Sequence, residues 1–275
     1  MSADAQPRRP GWRRWAAWAL TLALAYAVLL GALWVGQEKL LFHPRTLAAD
    51  HRFNFGDDVH EVFIDVPGAR LHALHLRLPS PDGVVFYLHG NAGHLQSWFV
   101  NTEPYRRANL DLFMLDYRGF GKSTGRIESQ VQLQADVRTA WEHVAAKYES
   151  GHRVFIGRSL GTGLAAALAV EVQPERTVLI SPYESIQALA GEIYPWVPGA
   201  LLRYPLRTDE VLPKLKGPAL LLHGDRDATI PVEHSRRLLA VAPKSRLVVI
   251  EGAGHNDLQA FEAYRQALAE ALAQR

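Results

Sequence analysis

Val154-Phe155-Ile156-Gly157-Arg158-Ser159-Leu160-Gly161-Thr162-Gly163-Leu164-Ala165-Ala166-Ala167 sets an apolar β-type run, a Gly-x-Ser-x-Gly turn and a helix-forming stretch in immediate succession. A strand-to-helix turn this tight strains the backbone of its central residue, and the flanking glycines leave room for it. The turn points the Ser159 hydroxyl out at the top of a sheet, beside the positive end of the following helix. Five-residue matches of this kind arise by chance; the strand–turn–helix context gives this one meaning.

The surrounding chain repeats the same alternation. Runs rich in β-branched and apolar residues predict strands at about 60–66, 70–78, 84–88, 111–116, 153–157, 177–180, 218–222 and 246–250. Helical patterns fall at about 94–107, 130–148, 160–172, 231–242 and 257–273. Two closely joined strands followed by repeated strand–helix units predict an α/β fold, a mostly parallel eight-stranded sheet flanked by helices. Function in such sheets gathers at the carboxyl ends of the strands.

A serine hydroxyl needs a base to take its proton, and the base needs an acid to orient it. Ala219-Leu220-Leu221-Leu222 ends in His223-Gly224-Asp225-Arg226-Asp227, and Leu247-Val248-Val249-Ile250 ends in Glu251-Gly252-Ala253-Gly254-His255. Both groups leave strand ends on the rim expected for Ser159, in the order Ser…Asp…His. Asp225 and Asp227 compete for the acid role. Donors for a developing oxyanion are expected from the backbone N–H of Leu160 and from the loop His89-Gly90-Asn91-Ala92-Gly93-His94, with Asn91 the candidate. His89 and His94 lack a third partner at ligand spacing and read as structural.

Two other patterns lead elsewhere and are set aside. Gly119-Phe120-Gly121-Lys122-Ser123 looks like half a phosphate loop, but Asp116 stands where the first glycine belongs. Gly161-x-Gly163-x-x-Ala166, with Glu184 beyond it, satisfies a relaxed dinucleotide fingerprint but leaves Ser159, Asp227 and His255 unexplained. The remaining histidines read as surface or satisfied groups.

At the N-terminus, Trp15–Gly36 carries no charge and is dominated by Ala and Leu. At about 1.5 Å per residue it reaches roughly 33 Å, enough for a hydrocarbon core of about 30 Å. Trp12, Trp15, Trp18 and Trp34 lie near its ends, where indoles favour the interface. Ala25-Tyr26-Ala27 also fits a signal-peptidase site, but the apolar run continues past it, beyond the ~7–15 residues of a secretory core. The expected division is a basic cytoplasmic tail (1–14), a transmembrane helix (15–36), a linker (37–55) and a catalytic domain (56–275). Arg8, Arg9, Arg13 and Arg14 precede the helix, so the positive-inside rule places the catalytic domain on the extracytoplasmic side.

The chain has 275 residues, 48% of them hydrophobic and 21% charged, which suits a packed core. Its net charge of +2 gives no basis for nucleic-acid binding. The absence of cysteine excludes disulfides, thiolate metal sites and a cysteine nucleophile.

From Gln37-Glu38-Lys39-Leu40-Leu41-Phe42-His43-Pro44 onward, the chain resembles membrane-anchored α/β-hydrolase-domain proteins, a family that borders the serine aminopeptidases. The resemblance rests on HGNAGH (89–94), DYRGFGKSTG (116–125), GRSLG (157–161), SPYESI (181–186), HGDRDATIP (223–231) and EGAGHND (251–257). It implies Ser159 as nucleophile, His255 as base, Asp227 rather than Asp225 as orienting acid, and Asn91 with Leu160 as oxyanion donors. Asp225 is then a turn or capping carboxylate. The implied activity is hydrolysis of a carboxylic ester or thioester, on a small-molecule or lipid acyl substrate, without metal or organic cofactor. Peptidase activity and an inactive binding role are the alternatives. Arg158 departs from many relatives and reads as a surface partner or an anion selector. About 37 residues between the strands at 177–180 and 218–222 leave space for a small cap after strand six, and Ile193-Tyr194-Pro195-Trp196-Val197-Pro198 within it is an apolar aromatic patch. Oligomeric state has no signature here.

Overall fold

The computed structural model describes residues 11–149 and 151–273; residues 1–10 of the expected tail, with Arg8 and Arg9, lie outside them. Helix α1 (Gly11–Leu41) is followed by β1 (His43–Pro44), β2 (Val59–Val66), β3 (Ala69–Leu76), β4 (Gly83–Leu88) and β5 (Ala92–Gly93). Two short helices, α2 (Leu95–Trp98) and α3 (Glu103–Arg107), precede β6 (Leu110–Asp116) and α4 (Gln130–Ala145). Then come β7 (His152–Arg158), α5 (Leu160–Val172), β8 (Arg176–Ile180), α6 (Ile186–Ile193) and α7 (Thr208–Val211). The chain closes with β9 (Ala219–Gly224), α8 (Glu233–Val241), β10 (Arg246–Ile250) and α9 (Glu262–Ala273).

Eight strands form one sheet in the order β10-β9-β8-β7-β4-β6-β3-β2. Only the pairings of β3 with β2 and β6 are antiparallel, so the sheet is mostly parallel, as expected. Alternation along β4 shows how the layers arise. Val84, Phe86 and Leu88 enter one core with α4 and α5, while Val85 and Tyr87 enter the other with α3 and α9. Each such fully buried side chain contributes about 1.5–3 kcal/mol relative to exposure.

Two expectations need correction. The helix at 94–107 is broken after Trp98, because Pro104 has no N–H and fits only the first turn of a new helix. Helix α1 takes in residues read as tail (11–14) and as linker (37–41), and the linker also contributes β1, which pairs in parallel with β5. Helix α1 is long and apolar enough to cross a membrane.

Candidate active site

Ser159 sits between β7 and α5 with φ 51°, ψ −121°, the strained turn that the glycine spacing predicts. The reason for glycine on either side is contact. A Cβ at Gly161 would overlap the Leu88 carbonyl, and one at Gly157 would overlap the first turn of α5. The Ser159 N–H donates to the Ile180 carbonyl at 2.9 Å, and Thr162 returns a backbone and a side-chain bond to the Ser159 carbonyl. These bonds hold the turn in a conformation that an unsupported serine would leave.

Asp227 and His255 arrive from the loops after β9 and β10. His255 Nε2 lies 3.1 Å from Ser159 Oγ, and His255 Nδ1 lies 2.7 Å from Asp227 Oδ2. The carboxylate can only accept, so Nδ1 carries the proton and Nε2 is free to accept from the serine hydroxyl. The Asp227 side chain is fully buried, whereas that of His255 keeps 13% exposure. Burial alone would raise the Asp227 pKa. Hydrogen bonds from His223, His255 and the Ile230 amide outweigh it and hold the carboxyl far below the usual carboxylate range. Asp227 is therefore a fixed negative charge beside the imidazole. Asp225 is occupied elsewhere, accepting from the Gly252 amide at 2.7 Å, which closes the turn after β10.

The loop after β4 passes close to the serine, where a Cβ on Gly90 would stand 3.5 Å from the Ser159 Cβ. The Asn91 side chain does not turn toward Ser159: its amide donates to the Leu41 carbonyl at 3.2 Å, while the backbone carbonyl of Asn91 accepts from the His43 amide. Any donor role for Asn91 thus falls to its backbone N–H. Leu160 opens α5, so its N–H is one of the first four that lack an intrahelical acceptor, and its carbonyl accepts from the Tyr183 hydroxyl at 2.8 Å.

The supporting role of His223 escaped the sequence reading, and the contacts of Arg158 and His89 appear only in the fold. His223 Nε2 lies 2.8 Å from the Ile230 carbonyl and 3.4 Å from Asp227 Oδ2. It carries the proton there, and its Nδ1 accepts from the Ser235 hydroxyl at 2.7 Å. The pattern His-Gly-x-x-Asp was visible, but its Ser235 partner comes from the next helix and only folding reveals it. Arg158 donates to the His255 carbonyl at 3.0 Å while its guanidinium stacks over Trp98, so it steadies the histidine loop. His89 stacks on Trp98, and its carbonyl accepts from the Tyr117 hydroxyl. The half phosphate loop is a pair of turns with Lys122 bound to Glu61 at 2.6 Å. Among the described residues, no group of three His, Asp or Glu is placed to hold a metal ion.

Comparison with known proteins bears on the family and the fold. The profile described as Serine aminopeptidase, S33 matches residues 79–207. An uncharacterised protein of Mycobacterium tuberculosis is 30% identical over 249 residues, 86% of each chain. Alpha/beta hydrolase domain-containing protein 17B of Homo sapiens is 26% identical over 75% of this chain and 72% of its own. The chain belongs to the α/β-hydrolase superfamily. The fold of this superfamily member also matches a solved Pyrococcus furiosus esterase with TM-score 0.66 at 20% identity, covering 84% of this chain and 96% of that one. A thioesterase domain from the curacin biosynthetic pathway matches with TM-score 0.59 at 16% identity, covering 78% and 99%.

Proposed function

We propose that this chain is a membrane-anchored serine hydrolase that cleaves a carboxylic ester or thioester, with a lipid or other acyl compound as substrate. The observation that carries the reading is the unbroken relay from a strained Ser159 through His255 to a fully buried, ionised Asp227. His255 Nε2 takes the proton as Ser159 Oγ attacks the acyl carbon. The backbone N–H groups of Asn91 and Leu160 receive the oxyanion, and losing one such donor typically costs about 3 kcal/mol in the barrier. The imidazolium then protonates the departing alcohol or thiol. Water, deprotonated by the same His255, attacks the acyl-enzyme and releases the acid and the free serine. Asp227 keeps the imidazole in the required tautomer and offsets its positive charge throughout.

Helix α1 supports the membrane part of the reading. It anchors the chain, with the N-terminus in the cytoplasm and the catalytic domain beyond the membrane, because Arg8, Arg9, Arg13 and Arg14 all precede its uncharged span, Trp15–Gly36. A fluorophosphonate probe tests the chemistry. The intact protein should label covalently and Ser159→Ala should not; an intact protein that stays unlabelled means a binding protein on a hydrolase fold. The matched profile makes peptidase activity the second reading. Turnover on p-nitrophenyl and acyl-thioester substrates, against none on aminoacyl amides, decides for ester chemistry, and the reverse decides for the peptidase.

A further inference from the structure

Residues 193–202, Ile-Tyr-Pro-Trp-Val-Pro-Gly-Ala-Leu-Leu, form ten consecutive positions without a charge, bounded by Glu192 and Arg203. They lie within the cap that follows β8, from the last residue of α6 toward α7. Ile193, Tyr194 and Trp196 are each about half exposed, an unusual cost for apolar side chains facing water. This segment does not stand alone, because α1 runs beside it. The Tyr26 hydroxyl donates to the Trp196 carbonyl at 2.6 Å, and Gln37 Nε2 donates to the Leu201 carbonyl at 2.7 Å. Gln37 Oε1 accepts from the Arg203 amide, Glu38 accepts from the Tyr204 hydroxyl and pairs with Arg203, and the Arg203 guanidinium lies 5.2 Å from the Trp34 ring centroid.

The contacts set a register along the helix. The charged and polar partners cluster at Trp34, Gln37 and Glu38, where the helix meets the interface. Tyr26 lies eight residues nearer the N-terminus, which is about 12 Å deeper along the axis. The apolar tip of the cap therefore lies level with the uncharged middle of α1. From these contacts we infer that the segment Ile193–Leu202 is inserted beside α1 into the acyl-chain region of the adjoining leaflet.

Part of the backbone of this segment is satisfied without water. Irregular chain is tolerated among acyl chains only where its polar groups are satisfied within the protein. Pro195 and Pro198 have no N–H to satisfy. The N–H groups of Tyr194, Val197, Leu201 and Leu202 donate to the carbonyls of Ala190, Tyr194, Pro198 and Gly199. Two carbonyls take their hydrogen bonds from α1 itself, at Tyr26 and Gln37. The Leu41 end of the same helix bonds Asn91, beside Ser159, so insertion sets the candidate active site at headgroup depth.

This inference rests on the reading of α1 as a membrane helix, and the test separates the two. The chain has no cysteine, so a single introduced thiol is labelled uniquely. Full-length Tyr194→Cys, Trp196→Cys, Ala25→Cys and Val131→Cys variants carry an environment-sensitive fluorophore in phosphatidylcholine vesicles containing chain-nitroxide lipids. The Tyr26 bond is to the backbone of residue 196, so Trp196→Cys keeps it, and Tyr194→Cys serves if that variant does not fold. Labels at 194 and 196 should lose most of their fluorescence, as at 25, while the exposed Val131 site on α4 stays bright. Quenching at 25 but not at 194 and 196 overturns the inserted cap and leaves the anchor standing. No quenching at 25 overturns the anchor reading, and the inserted cap with it.

Discussion

Two buried imidazole–carboxylate systems lie at opposite ends of the one sheet. At the carboxyl ends of the parallel strands, His255 bridges Asp227 and Ser159. At the other end, Arg77 Nε donates to His75 Nδ1 at 3.2 Å, His75 Nε2 faces the Tyr148 hydroxyl at 2.9 Å, and that hydroxyl donates to Asp111. Both imidazoles sit near carboxylates held below their usual range by hydrogen bonds to them. The difference lies in what the second nitrogen meets. In the lower system a tyrosine and an arginine close the chain and His75 keeps only 2% side-chain exposure, so no substrate atom can enter. In the upper one the last partner is a serine hydroxyl on a turn of positive φ, and the His255 side chain keeps 13% exposure. The serine turn, rather than the histidine–aspartate pair, distinguishes the candidate site.

The comparison is broken most sharply at Asp227. Asp227→Asn should keep the fold and lower kcat by roughly 10⁴-fold, because the amide no longer fixes the Nδ1–H tautomer. A loss of less than about tenfold, far short of that figure, would remove Asp227 from the relay. Arg158→Met keeps the stem over Trp98 and removes the donor to the His255 carbonyl. Misplacing the base this way should cost kcat about tenfold on a short soluble ester, with KM little changed. An effect on KM alone would instead make Arg158 a substrate-binding group.

The sheet and the upper system were legible because each rests on a local pattern. Runs rich in apolar and β-branched residues marked all eight strands of the sheet, and Ser159, Asp227 and His255 each follow the end of one. The lower system was not legible: His75, Tyr148 and Asp111 come from β3, the 3-10 turn after α4 and β6, and nothing in their spacing joins them. For the same reason the pairing of β1 with β5, two residues each, went unseen, although it fastens the end of α1 to the loop beside Ser159. The cap patch was visible as composition, whereas its alignment with Tyr26 exists only in three dimensions. Pro104 alone could have warned that 94–107 does not run as a single helix.

The smallest expected effect separates the two systems by pH. Burial holds the His75 pKa below that of a free imidazole; Arg77 and Lys147 push it the same way, while Asp111 pulls it up. An unfolded histidine takes a proton near pH 6.5, and native His75 does so only at lower pH. Below about pH 6.5 the unfolded chain therefore binds more protons, and stability falls as pH drops, by at most about 1.4 kcal/mol per unit from this group. The depressed carboxyls behave differently: their contribution is complete above about pH 4 and is lost only as pH falls through their native values, so Asp111 and Asp227 add no slope between pH 7 and 5. His234, whose pKa burial also lowers, adds slope of the same sign as His75. Denaturant titration of His75→Gln at pH 7 and pH 5 should therefore show a shallower pH dependence than the parent, not a flat one. The variant should cost about 1 kcal/mol at pH 7 through the weakened bond to Tyr148. Its kcat should match the parent, since nothing in the lower chain reaches Ser159. A drop in kcat at unchanged stability would mean that the two ends of the sheet are coupled.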